Sequence, residues 1–427
     1  MTLSPPMVTE RRGHPAEAHR RPPSGDVRVH EHAAPLPVDR TLWTPGVAFL
    51  LFLTLVGLCF AVYRFIFGLS AVTNLDHQHP WGIWIAIDVA TGVALAAGGF
   101  TTSALAHIFH REHYHAVVRP ALLTAMLGYT FVGIGLMVDL GRYYNIWHPA
   151  WPTMWSPNSA LFEVGMCVMC YLTVLYLEFA PIIFERFMND GRRPALARLC
   201  AGLHRQFSKI MGLLIIAGVV LSCAHQSSLG NLMVLAEPKM HPLWWTPILT
   251  IMFLLSAIAV GYPMVIFEGI YSAWALKLRP EMHVLGPLAR FIPILLGAYL
   301  GFKVGDMAVR DTYVYLYPAN WSVQSTMFVL EMVFGAILPF ALLLSRRVRN
   351  SPRWLFWSAL MVVLGVALNR ANVFLVAFQP LYPQKNYFPA IGEFAVTIGL
   401  ISLLIFCYRV IVTYFPVISL PGRVRTA

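Results

Sequence analysis

The chain has 427 residues, 58% of them hydrophobic and only 12% charged, with a mean hydropathy of +0.64. Soluble domains carry about twice that charged fraction, so composition alone excludes an ordinary soluble enzyme and indicates an integral membrane protein. The formal charge of +11 is no sign of nucleic-acid binding, because the basic residues fall in loops between apolar stretches and not on one soluble face.

Taken in order, residues 1–43 are rich in Pro, Arg, Glu and His without aliphatic periodicity, and are predicted to form a disordered cytoplasmic tail. Arg11 and Arg12 are followed by a hydrophilic stretch where an export signal needs an apolar one, so the first span is expected to act as the insertion signal. A transmembrane domain at 44–416 follows, with apolar spans expected at 45–63, 81–107, 120–140, 160–184, 207–225, 244–275, 285–304, 321–345, 354–378 and 388–415. The sixth and tenth exceed the minimum length and contain Pro263 and Pro389, which predict a tilt, a kink or an interfacial turn. Residues 417–427 form a short C-terminal tail. The fold class is therefore all-α, a polytopic transmembrane bundle of about ten spans.

Orientation follows from the basic residues, which are retained on the cytoplasmic side during insertion. Lys and Arg number 23 on the side that holds the N-terminus, against four on the other: Arg142, Lys239, Arg310 and Lys385. Both termini are thus expected in the cytoplasm.

With that orientation Asp88, Asp139, Glu163 and His225 all lie toward the outer surface, Asp88 about 10 Å below it. Charged groups within a bilayer are costly, and several at one level point to a site that handles protons or a polar ligand. Arg142 and Tyr143 follow Asp139 by three and four residues and share its face if the helix continues that far. Asp139 with Arg142 reads equally as a structural ion pair or as part of such a site. His225, Gln226, Ser227 and Ser228 place an imidazole and three hydrogen-bonding groups where the fifth span is expected to leave the apolar core, a set suited to a carbonyl oxygen, although a histidine capping a helix end is the plainer reading. Glu163, in an apolar turn, is the candidate for proton exchange.

Farther inward, Glu178, Glu268 and Glu331 are candidates for a proton relay toward the cytoplasm, while Glu185 beside Arg186 reads as interfacial. Asp306, Arg310 and Asp311 close the seventh span, and Arg370 and Glu393 lie at the outer ends of the ninth and tenth. Ion pairing is the leading account of that second group.

The six cysteines, Cys59, Cys167, Cys170, Cys200, Cys223 and Cys407, fall mostly inside spans and read as small hydrophobes. Cys167 and Cys170 form a C-x-x-C within an apolar segment and lack the second pair that a metal or iron-sulfur site needs. No metal site is read. Nor do the histidines suggest haem, since His225 lies near one surface and His107 and His204 near the other. The outer loops NIWHPAWPTMW, EPKMHPLWW, YVYLYPANW and QPLYPQKNYFP are poor in charge and rich in aromatics, as expected either of an interfacial belt or of a docking face.

PWGIWIAIDVATGVALAAGGF, MVDLGRYYN, NSALFEVGMCVMCYL, LEFAP with FER, AHQSSLGNLM, HPLW and VIFEG occur in that order. Together they resemble the NrfD-like family of polysulfide reductase membrane subunits, over nearly everything after residue 45, and within it the so-called b-type cytochrome subunit of hydrogenase-2-type Ni/Fe uptake hydrogenases. The resemblance implies a haem-free, cluster-free membrane anchor that reduces menaquinone or ubiquinone with electrons from a periplasmic iron-sulfur subunit, itself served by the large and small hydrogenase subunits. By the same resemblance, Asp88, Asp139, Arg142, Tyr143, Glu163 and His225 match the quinone and proton-transfer positions.

On this reading Glu163, Asp139 and Asp88 handle protons, and His225, Gln226, Ser228, Arg142 and Tyr143 hold the quinone. The alternatives are an equivalent subunit of a molybdopterin oxidoreductase of the polysulfide or DMSO type, a secondary transporter, for which internal repeats are wanting, and a purely structural anchor.

Overall fold

The computed structural model describes residues 35–38, 40–188, 193–383 and 385–419. Among the described residues, ten helices are long and apolar enough to cross a membrane: α1 (Pro45–Phe67), α2 (Trp84–Ile108), α3 (His115–Asp139), α4 (Ala160–Met188), α5 (Pro194–Val234), α6 (Leu249–Ala275), α7 (Met282–Val309), α8 (Val323–Leu344), α9 (Pro352–Val376) and α10 (Ile391–Tyr414). Their ends follow local rules. Thr44 caps α1, its side chain accepting from Val47 N ahead of Pro45, and Gly68, at φ 92°, stops it. Ser322 and Ser325 cap α8 reciprocally.

Three features of the helices bear on the expected spans. The fifth helix has 41 residues and not the 19 of its apolar window. At about 60 Å it is twice the thickness of a hydrocarbon core. It continues because its polar residues face protein partners at one end and lie exposed at the other. Pro389 precedes α10 and does not kink it, whereas Pro263 is accommodated inside α6. Finally, α3 stops at Asp139, where Leu140 turns to ψ 120°.

Packing divides the spans into two rings of four. Helix α2 touches α3, α3 touches α4, α4 touches α5 and α5 returns to α2; α6, α7, α8 and α9 close in the same way. The rings meet where α2 lies against α6 and α9 and where α5 lies against α6. Helix α2 is the most enclosed span, and its small residues permit this: a Cβ on Gly99 would come within 2.5 Å of Ala125 on α3. Helices α1 and α10 pair with one another outside the rings and pack on α2 and α3.

Strand β1 (Pro35–Leu36) pairs antiparallel with β2 (Ile418–Ser419), so the two described ends of the chain lie together on one face. Most of the predicted tail at 1–43, and most of that at 417–427, lies outside the described residues.

Candidate functional site

The residues expected to share one pocket occupy two places, on opposite sides of the α2–α3 pair. Asp88 and Asp139 lie in the seam beneath α1 and α10. Asp88 sits in a π-helical stretch, Trp84–Thr91, and accepts from Thr397 Oγ1 on α10 at 2.7 Å. Gly135 on α3 lets it approach, since a Cβ there would lie 3.0 Å from that of Asp88. The cation facing Asp139 is Arg64 of α1, which is buried, donates to Leu140 O and lies 5.2 Å from the Tyr143 ring. Arg142 is exposed, because the helix ends before it and turns it away from Asp139. Glu393 accepts from Asn74 N and Ala390 N, each at 3.0 Å, and from Tyr387 OH, so it ties α10 to the loop before α2.

Glu163, His225, Gln226 and Ser228 belong to the first ring. Glu163 is exposed in the first turn of α4 and is not enclosed in apolar surroundings; Ser228 Oγ donates to its Oε1 at 2.6 Å. His225 does not end its span. It is completely buried nine residues before the end of α5, against Tyr129 at 5.6 Å between ring centres, and neither ring nitrogen closes a well-formed hydrogen bond. Gln226 Nε2 donates to Val93 O of α2 at 2.8 Å, beside the turn at Ala96 that interrupts that helix.

Below these, Tyr129 OH faces Ser222 and Gln226, Tyr171 packs edge-on against Tyr129 at 4.5 Å, and Glu178 lies beyond Tyr171. Tyr129 OH, Ser222 Oγ, Gln226 Oε1 and both His225 nitrogens are buried and close no hydrogen bond of good geometry, although Tyr129 OH faces Ser222 and Gln226, and His225 faces the Val164 backbone. Buried polar atoms rarely lack well-formed hydrogen bonds, so the group has capacity for a polar ligand or water.

Together these residues form a ladder along the contact of α4 and α5. Glu163, Cys167, Tyr171 and Glu178 recur at helical spacing on α4, as do Gly218, Ser222, His225 and Ser228 on α5. It runs about 22 Å from Glu163 to Glu178, most of a hydrocarbon core. Tyr129, Tyr171 and Ser222 escape a search confined to ionisable groups; the two stripes are the signal that finds them.

The other two relay candidates lie elsewhere. Glu268 of α6 is near Thr124 and Tyr408 and lines a cavity with Ser272, Arg279, Glu281 and Ser419 at the face holding the chain ends. Glu331 of α8 is in the second ring, where it accepts from Asn369 Nδ2 at 2.7 Å and from Trp244 Nε1 and Asn372 Nδ2 at 2.8 Å. Arg310 and Asp306 form the expected ion pair at 2.8 Å, while Arg370 and Glu393 are parted between the second ring and the seam.

Residues 71–379 match the family described as polysulphide reductase, NrfD. The chain belongs to the NrfD family. The matched stretch holds both rings, α2 to α9, and leaves out α1 and α10. Among relatives of this NrfD protein, one from Nitratidesulfovibrio vulgaris is 38% identical over 89% of this chain and 96% of its own length. The probable Ni/Fe-hydrogenase 2 b-type cytochrome subunit of Escherichia coli is 35% identical, over 86% of this chain and 90% of its own length. The menaquinone reductase integral membrane subunit of N. vulgaris is 24% identical over 90% and 96% respectively. Family membership and ten apolar helices make this NrfD protein a multi-pass protein of the bacterial inner membrane.

Proposed function

We propose that this chain is the membrane anchor and quinone-reducing subunit of a periplasm-facing Ni/Fe hydrogenase complex, taking electrons from an iron-sulfur partner on the face away from the chain ends. The hydrogenase-2 relative supports the donor, and the menaquinone reductase relative supports a quinone as the acceptor. The excess of basic residues on the side of the chain ends supports cytoplasmic termini.

The observation that carries the proposal is the first-ring ladder: buried donors and acceptors that close no well-formed hydrogen bond, behind the exposed Glu163 carboxylate and the buried Ser228 hydroxyl that donates to it. An imidazole, a serine hydroxyl and a carboxamide suit a ligand whose polar atoms are two carbonyl oxygens. The menaquinone or ubiquinone head group approaches from lipid at the outer ends of α4 and α5. His225 and Ser228 hydrogen-bond a carbonyl, with Gln226 fixed by Val93 O. Reduction takes up two electrons and two protons, and Glu163 is the donor nearest the edge. Tyr129, Ser222, Tyr171 and Glu178 supply hydrogen-bonding groups through which protons return from the cytoplasmic side. Asp88 and Asp139, with Arg64, act from the seam on the far side of α2 and α3. The proposal assigns the chain no haem: His225 is enclosed by Tyr129, and His107 packs against His115 at the opposite end of the ring.

Replacing Glu163 by Gln is expected to lower hydrogen-dependent quinone reduction about 10²-fold, in the range for a lost acid or base, with normal assembly and normal dye reduction by the donor. Unchanged turnover would leave only the anchor.

A further inference from the structure

The second ring encloses charge that the proposed quinone chemistry does not use. Lys303 of α7 is 3% exposed, and its Nζ donates to Leu243 O at 2.8 Å and lies 5.2 Å from the centre of the Phe328 ring. On its inner side stands Glu331, held by three donors. Beyond Glu331 lies Arg370, completely buried, which donates to Asn369 Oδ1 at 2.6 Å and to Ser256 Oγ at 2.8 Å and covers the Phe253 ring at 3.8 Å. On its outer side Asp306 is engaged by Arg310 and by Thr246 Oγ1 at 2.6 Å.

Charge does not balance here. Asp306 and Arg310 neutralise one another near the surface, leaving Lys303 and Arg370 against the single carboxylate of Glu331. A buried uncompensated charge is costly. Arg370 keeps its proton under all ordinary conditions, and Glu331 already receives three N–H donors, so lysine is the member able to release one. A cavity lined by Ser256, Tyr299, Glu331 and Asn369 adjoins the group, and π-helical turns at Val333–Ile337 and Asn372–Val376 flank it. Such turns are frequent at functional sites.

We propose that Lys303 is a proton-exchanging residue joining this cavity to the outer surface past Asp306 and Arg310, an outward proton path in the second ring, separate from the first-ring ladder. Its Nζ–H bond breaks toward water at the Asp306 mouth, which becomes hydronium. The electron pair stays on nitrogen, and the neutral amine regains a proton from hydronium on the cavity side, which returns to water. The driving force for net outward movement rests on the quinone-reduction reading; the exchange itself does not.

The test uses the whole complex in lipid vesicles, with Lys303→Met and Lys303→Arg as variants and an enclosed pH dye as the readout. A potassium diffusion potential drives proton flux without any electron donor, and quinone turnover is measured separately in uncoupled vesicles. Flux is expected to fall about tenfold in both variants, because neither methionine nor a permanently charged guanidinium exchanges a proton at this position, while turnover stays within about twofold. Wild-type flux no greater than that of protein-free vesicles, or equal flux in wild type and both variants, would overturn the proposal. Failure of the quinone reading would show instead as absent wild-type turnover.

Discussion

Arg64 reaches Leu140 across 76 residues of chain and places a guanidinium beside Asp139. Nothing local announces it. The intramembrane acids and His225 are legible because each interrupts an apolar run, and that needs only hydropathy. Their partners are not legible, because pairing is fixed by which helices pack together. Arg142, the cation nearest Asp139 in sequence, is exposed, while Arg64, at the end of the first span, faces it. Gly218 shows the same limit. As a residue it means little, yet a Cβ there would stand 2.7 Å from Glu178 Oε1. Gly218→Ala is expected to push the carboxylate out of the ladder and to slow quinone reduction about tenfold, within the range for general acid-base groups, while leaving expression and assembly normal. Steady-state turnover of the purified complex checks this, and a wild-type rate would remove Glu178 from the path.

At the scale of elements, the helices themselves were the most legible part, since a run of about 20 apolar residues is what a bilayer crossing demands and little else requires. The fifth overruns its apolar window at both ends, because hydropathy reports contact with lipid and not helicity: the stretch after His225 stays helical while its polar groups meet Glu163 and Val93. The loop motif HPLW carried a signal of another kind. Trp244 is buried in the second ring and bonded to Glu331, so this part of the aromatic loop serves neither as a belt nor as a dock. Helices α8 and α9 cross at Gly335 and Gly365, where a Cβ on Gly365 would come within 2.2 Å of Gly335 Cα. Backbone cannot yield as a side chain does. Gly365→Ala is expected to force the two helices apart beside the Glu331 network and to destabilise the extracted protein by about 1–3 kcal/mol. A thermal unfolding series reads the effect, and an unshifted midpoint would contradict so close a crossing.

For the whole molecule, the number of spans could be read from sequence but their grouping could not. Depth alone places Asp88, Asp139, Glu163 and His225 at one level; only the closure of α2–α5 into a ring shows that two of them lie along the α4–α5 contact, Glu163 at its exposed edge, and two face the seam under α1 and α10. The family match covers both rings and omits the outer pair, so the seam brings matched acids against Arg64 and Thr397, which lie outside the matched stretch. The second ring, like the first, sets four helices around buried polar groups, among them Lys303, Glu331 and Arg370.

The central claim, that quinone reacts at the outer ends of α4 and α5, is tested most directly by a photoreactive menaquinone analogue bound to the complex in lipid, with the cross-linked peptide identified by mass spectrometry. Labelling is predicted in the first turns of α4 around Glu163 and in α5 around Ser228, and it should be displaced by unmodified quinone. Labelling confined to the seam around Asp88 and Asp139, or to the second ring, would contradict it.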